Sequence, residues 1–229
     1  MEIRRAWIAL VAASLAGCAE PTHLAATPHP FPAGLTLAVA PALNFSGSAE
    51  LDPVRVADLF ASELATHAGV TVLPVSRVVA VLAREGRIQI RSPAHAIQTA
   101  ERLGCDGVCV VGITEYQPYS PLVVGLVAQV YVRPGRGGKP ESGAAGGAGV
   151  FADPEAQVQR VYNSAHEPVA DEIRKYAVDR DADQSPYGWR RYMVSQELFL
   201  RYCCFDASER LATQMSPELT PMASTGTGD

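Results

Sequence analysis

Histidine is scarce in this 229-residue chain, and none of the five stands three or four residues from another histidine or from a cysteine. That spacing excludes the paired ligands of a structural zinc site and the helical metalloprotease motif. A nucleophile elbow of the form G-x-S-x-G is absent, and no glycine-rich turn leads from a strand into a helix. Basic residues are also in deficit, 19 against 24 acidic, for a formal charge of −5. An acidic chain lacks the basic surface on which sequence-independent nucleic-acid binding depends. Uninterrupted apolar runs are short, well under the roughly 20 residues of a membrane-spanning helix. No catalytic residue, metal site or cofactor is expected.

The longest apolar run is Ala6–Ala16, preceded by Arg4-Arg5 and followed by Gly17-Cys18. Its length suits a signal-peptide core and not a spanning helix. Residues 1–18, ending in Leu15-Ala16-Gly17-Cys18, resemble a bacterial lipoprotein signal peptide. The resemblance implies cleavage before Cys18, acylation of that cysteine with palmitate or a similar chain, and attachment of residues 18–229 to the cell envelope. Ile3 and Ala6-Trp7 fit a twin-arginine export motif poorly. Ala19 stands where an aspartate would mark inner-membrane retention in enterobacteria. An outer-membrane anchor facing the periplasm is therefore favoured over an inner-membrane one. Loss of Glu2, Arg4 and Arg5 leaves the mature chain one charge more negative, so the acyl group and not a polybasic segment must do the tethering. Residues 18–33 carry Pro21, Pro28, Pro30 and Pro32 without apolar periodicity. They read as an extended leash, about 40 Å long if thirteen residues are stretched at roughly 3.1 Å each.

The remaining cysteines are Cys105, Cys109, Cys203 and Cys204. The first pair, on one strand, would stand about 13 Å apart, beyond the reach of a disulfide. A bridge from either to Cys203 or Cys204 stays open beside the plainer reading of buried thiols.

Residues 34–133 alternate strand and helix signals. Leu35–Ala40 is a strand limited by Pro41, and Asn44–Ser48 is a turn. Asp52-Pro53 starts a helix with Val56, Leu59, Phe60 and Leu64 on one face, closed near Gly69. Val70–Val75 is a strand, and Ser76 caps a helix stopped by Gly86. Ser92-Pro93 starts another, with Ala96, Ile97, Ala100 and Leu103 inward and His95 outward, ending at Gly104. Asp106–Glu115 is apolar on both faces, Cys109, Val111 and Ile113 on one and Val108, Val110 and Gly112 on the other. That pattern predicts a central strand covered on both sides. Leu122–Arg133 is its antiparallel partner beyond Pro118–Pro121. Glu115, Tyr116, Asp52 and Asn44 could share a crevice at the strand ends, in polar rather than acid–base roles.

Residues 134–150 form a glycine-rich loop. Within it, Gly135–Pro140 is only superficially a phosphate loop, for no Ser or Thr follows the lysine. Residues 151–211 read as a helical hairpin: a capping box at Ser164–Glu167 opening a helix with Val169, Ile173 and Tyr176 inward, then a second helix from Tyr187 to Phe205. Trp189, Tyr192, Met193 and Phe199 lie on one broad face of that second helix. They either pack on the core or, with Arg190 and Arg191, present a partner-binding surface, since interface centres favour these residue types. Residues 212–229 read as a disordered tail. The expected fold is α/β: two or three layers, a mixed sheet of about four strands with packed helices, and a C-terminal helical pair.

The segments Leu35–Gly47 and Arg102–Gly112 resemble the "V-A-V-L-P-F-x-N-x-S-G" opening and the "G-A-D-x-V-V-V-G" strand entry of a group of envelope α/β domains. The group includes the TolB amino-terminal domain, the peptidoglycan-synthase activator lipoprotein LpoB and the curli secretion lipoprotein CsgG. The resemblance spans about Leu35–Arg133. Ala42 stands where the motif has Phe, Cys105 where it has Ala, and the family's D-x-x-T-G hairpin is missing. It implies a non-enzymatic, lipid-anchored adaptor or activator that binds another envelope protein. Two alternatives remain: a subunit of an export or assembly complex, or a small-ligand-binding or hydrolytic domain using the crevice.

Overall fold

In the computed structural model, which describes residues 31–32, 34–134, 153–181 and 185–216, the strand Gly107–Gln117 (β4) organises the sheet. On one side it pairs in parallel with Leu35–Val39 (β1) and, beyond Pro41, with the two-residue strand Leu43–Asn44 (β2). On the other side it pairs antiparallel with Val123–Val132 (β5). Val70–Leu73 (β3) adds in parallel to β1, and Ala156–Asn163 (β6) adds antiparallel to β5. The order is β3-β1-β4-β5-β6, with β2 on β4 off that path.

The helices are Pro53–Leu64 (α1), Val75–Arg84 (α2), Pro93–Leu103 (α3), Glu167–Val178 (α4) and Gln196–Met215 (α5), with a 3-10 turn at Gly188–Met193. Period-two alternation along β4 divides the core. Cys109, Val111 and Ile113 join a large cluster with α1, α4 and α5, while Val108 and Val110 join a smaller one with α2 and α3. Mixed α/β architecture with a C-terminal helical part is therefore what the chain adopts.

Several starts follow local chemistry. Asp52 accepts hydrogen bonds from the Val54 and Arg55 amides, and Ser92 from the His95 amide, each with proline behind it. Gly104 ends α3 in the left-handed region at φ 69°.

Tertiary contacts correct other expectations. Residues 156–163 are a strand, so the sheet has six strands and the region after the glycine-rich loop is more than a helical hairpin. Ser76 lies inside α2, whose cap is Pro74. Ser164 does not cap α4: its hydroxyl accepts the Leu122 amide at 2.8 Å, and the cap position belongs to His166. The predicted Tyr187–Phe205 helix breaks at Val194-Ser195, where Ser195 caps α5. Helix α5 continues to Met215, so residues 212–215 belong to it and not to a tail. His95 is buried, 5 % exposed, and its Nε2 donates to the Glu85 carboxylate at 2.8 Å.

Candidate docking face

Helices cover the sheet unequally. Helices α1, α4 and α5 pack over its large-cluster face, whereas α2 and α3 cover β1, β4 and only the Tyr131 end of β5 on the opposite face. The register places Gly112 beside Val127 and Gly125 beside Val161 on that second face. Val161 is 56 % exposed, Gln157 and Gln159 are exposed, and Val127 and Gln129 are half-buried. A sheet face that carried apolar residues for a core would be closed by a helix; here it is left open among the described residues.

Phe45 stands at the edge of this opening. Its amide donates to the Ile113 carbonyl at 2.8 Å, which continues β2 along β4. A Cβ added at Gly112 would lie 2.8 Å from the Phe45 ring, so the ring rests directly on the glycine. Even so, Phe45 is 64 % exposed. The turn behind it is built by Asn44, whose side-chain oxygen accepts from the Ser46 hydroxyl and the Gly47 amide while its Nδ2 donates to the Ser48 carbonyl. A polar row borders the face: Tyr131 donates to Gln129, which donates to Gln157. At the outer edge the Gln214 side-chain amide pairs with both the N–H and C=O of Gln157, capping one residue of the β6 edge.

Of the two readings open for the aromatic stripe, packing on the core or a partner surface, burial favours the first, for it is largely interior. Tyr192 and Phe199 are buried, at 2 % and 1 % exposure, and Trp189 and Met193 are half-buried against the same core. The 3-10 turn swings Tyr192 inward, edge-on to Tyr176 at 5.6 Å, and its hydroxyl donates to Asp181 at 2.7 Å. Burial first, and that carboxylate second, push the Tyr192 hydroxyl up to about 12. Arg191 pairs with Asp181, and Arg190 lies 5.4 Å from the Trp189 ring centroid. The stripe therefore serves packing, and only Arg190 of the six is exposed. Cys18 lies outside the described residues, as do Gly135–Pro140.

Groups that resemble catalytic parts are engaged elsewhere. His67 Nε2 meets Ser208 Oγ at 2.9 Å, both buried. The Ser208 hydroxyl donates to the Phe205 carbonyl at 2.8 Å, so it accepts from the imidazole and its proton is not held by a base. Cys105, Cys109, Cys203 and Cys204 are free and buried, and burial raises each thiol above its ordinary range. Asp52 is committed to its helix cap and Asn44 to its turn, and the register sets Asn44 beside Ile113. Tyr119 donates to Glu50, which raises its hydroxyl. Among the described residues no group of three or more His, Cys, Asp or Glu could hold a metal ion. No helix among them is long and apolar enough to cross a membrane.

Phe45 and β6 were the parts that sequence reasoning missed. An exposed phenylalanine inside turn chemistry was the available signal for the first. For the second it was the alternation of Ala156, Val158 and Tyr162 with Gln157 and Gln159, interrupted by Arg160 at an inward position.

No family model matches the chain, and no curated protein matches it. Among solved structures the fold is similar to the LpoB C-terminal domain from Salmonella enterica, with 13 % identity, 57 % of this chain and 83 % of that one covered, and a TM-score of 0.42. Lipoprotein GNA1162 from Neisseria meningitidis follows at 14 % identity, 65 % and 96 % coverage, and a TM-score of 0.40. The hypothetical protein CT253 from Chlamydia trachomatis covers more of the chain, 78 % against 97 % of its own, at 14 % identity and a TM-score of 0.35.

Proposed function

We propose that this chain is a lipid-anchored cell-envelope protein that acts without catalysis, binding another envelope protein as an adaptor or activator. The observation that carries the binding is the open face of β5 and β6, with Phe45 held over Gly112 at its edge and Val161 exposed on it. Apolar side chains at the edge of a rigid sheet, bordered by the Tyr131–Gln129–Gln157 row, supply the apolar centre and polar rim of a protein interface. Attachment through Cys18, and an outer-membrane site facing the periplasm, rest on the Leu15-Ala16-Gly17-Cys18 sequence and on Ala19 after it.

Photo-crosslinking groups at positions 45 and 161, in the cell that makes the protein, test the reading. One envelope protein should be captured from both positions and lost when Phe45→Asp is introduced into the position-161 probe, with the thermal midpoint unchanged. Capture of the same protein from exposed Val178, on the other side of the molecule, or survival of capture in Phe45→Asp, would sink it.

A further inference from the structure

The loop between α2 and α3 stands apart from the docking face and is unlike the rest of the surface. Between Arg77 and Arg102 the chain carries five arginines and two glutamates, an excess of positive charge in a molecule whose total is −5. Glu85 is already engaged: it pairs with Arg102 and meets His95 Nε2 at 2.8 Å. Arg84, Arg87 and Arg91 are exposed around it. At the tip sits Ile88, 79 % exposed, the most exposed large apolar residue among those described, while its neighbour Ile90 is anchored in the smaller core cluster at 1 %. The loop is thus held from beneath by Ile90 and the Glu85–His95 contact, and it presents one apolar side chain between the exposed Arg87, whose Nη1 lies 3.4 Å from His95 Nδ1, and Arg91, whose Nε donates to Gln89.

Its placement gives the occupant. The Glu85–Arg102 pair fixes the end of α2 beside the last turn of α3, just ahead of β4, whose first residue Gly107 pairs with Leu37. Phe31, where the described chain begins, donates its amide to the Ala68 carbonyl immediately before β3. The basic loop and the point at which the chain enters from Cys18 therefore lie toward the same end of the sheet, where β1, β3 and β4 start. A domain tethered at that end has it within the reach of the leash from the bilayer. Anionic phospholipid headgroups complement the arginines, and the interfacial zone accepts a lone exposed isoleucine that a soluble anion would leave in water.

We propose that the loop Gly86–Arg91 is a membrane-contact patch: Arg87 and Arg91 engage anionic phospholipid headgroups while Ile88 enters the interface, setting the domain's orientation on the bilayer. The inference relies on the envelope reading for its setting only, and it is tested without the acyl chain.

The full chain carrying Cys18→Ser is mixed with phosphatidylcholine vesicles with and without phosphatidylglycerol, and bound protein is separated by flotation. The apolar segment Ala6–Ala16 contributes equally to all variants, so differences between them report the loop. Binding should rise with phosphatidylglycerol and fall with salt, and each of Arg87→Ala and Arg91→Ala should weaken the anionic component about fivefold. Ile88→Asp should weaken it further. As controls, Arg55→Ala and Arg190→Ala each remove the same single charge elsewhere and should leave the anionic component within about twofold of the parent. All variants lie at exposed positions, and an unchanged thermal midpoint verifies folding. Equal loss in the controls, no dependence on phosphatidylglycerol, or full competition by inorganic phosphate or soluble DNA would overturn the proposal. Failure of palmitate to label Cys18 in the parent would count against the anchor and leave this result standing.

Discussion

Arg160 occupies an inward register position of β6, between Val158 and Tyr162, where alternation calls for an apolar side chain. It is tolerated because its guanidinium reaches Asp206 of α5 at 2.9 Å and Glu172 of α4 at 2.8 Å. The same carboxylates accept from Tyr162 at 2.7 Å and Tyr202 at 2.6 Å. Burial above all, then those carboxylates, push both tyrosine hydroxyls far up, so they remain donors at any working pH. The network stitches the sheet to both C-terminal helices. Arg160→Leu leaves Glu172 without its cation and Asp206 with Arg210 alone, and should cost about 2 kcal/mol in urea unfolding. Glu85 gives a second outcome at this scale. Burial raises its carboxyl, but the hydrogen bond from His95 and the charge of Arg102 outweigh that, and the net shift is downward. A depressed carboxylate adds stability that is present above its unfolded value and is lost as pH falls through the folded one. Between about pH 5 and pH 3, Glu85→Gln should therefore lose less stability than the parent, as read by thermal midpoints across that range.

At the level of elements, close approach within the sheet sets hard limits. A Cβ at Gly107 would lie 2.6 Å from the Tyr131 carbonyl oxygen and 3.2 Å from the Leu37 side chain. The glycine is required by the packing of β1, β4 and β5, not by its backbone angles. Gly107→Ala should cost about 2 kcal/mol, seen as a fall of several degrees in melting temperature. The helix starts at Asp52-Pro53 and Ser92-Pro93, the two-sided burial of β4 and its antiparallel pairing with β5 were legible in the chain, because each is written in side chains a few residues apart. β6 was not, because Arg160 breaks its alternation and is explained only by partners on α4 and α5. The orientation of His95 was misread for a similar reason: Glu85, which draws it inward, lies at the end of another helix. The aromatic stripe failed as a surface because a 3-10 turn, invisible in the residue spacing, rotates Tyr192 onto Tyr176.

For the whole molecule, three features have separate tasks in the proposed reading: an acyl anchor at Cys18, an arginine-flanked loop that meets the bilayer, and an open sheet face for a protein partner. Metabolic labelling with palmitate should mark the parent and not Cys18→Ser, and label retained in the variant would remove the anchor while leaving the folded domain as described. The sequence by itself determined the acidic balance and the alternation of strands and helices through residue 133, and it alone carries the Leu15-Ala16-Gly17-Cys18 resemblance, since these depend on composition and on neighbours along the chain. Only the tertiary structure decided which apolar residues were interior. Tyr192 and Phe199 find a core made by α4, α5 and the sheet, whereas Phe45 and Val161 find no helix above them among the described residues. Burial is a property of what packs opposite a side chain, and for this protein the opposing residues lie dozens of positions away.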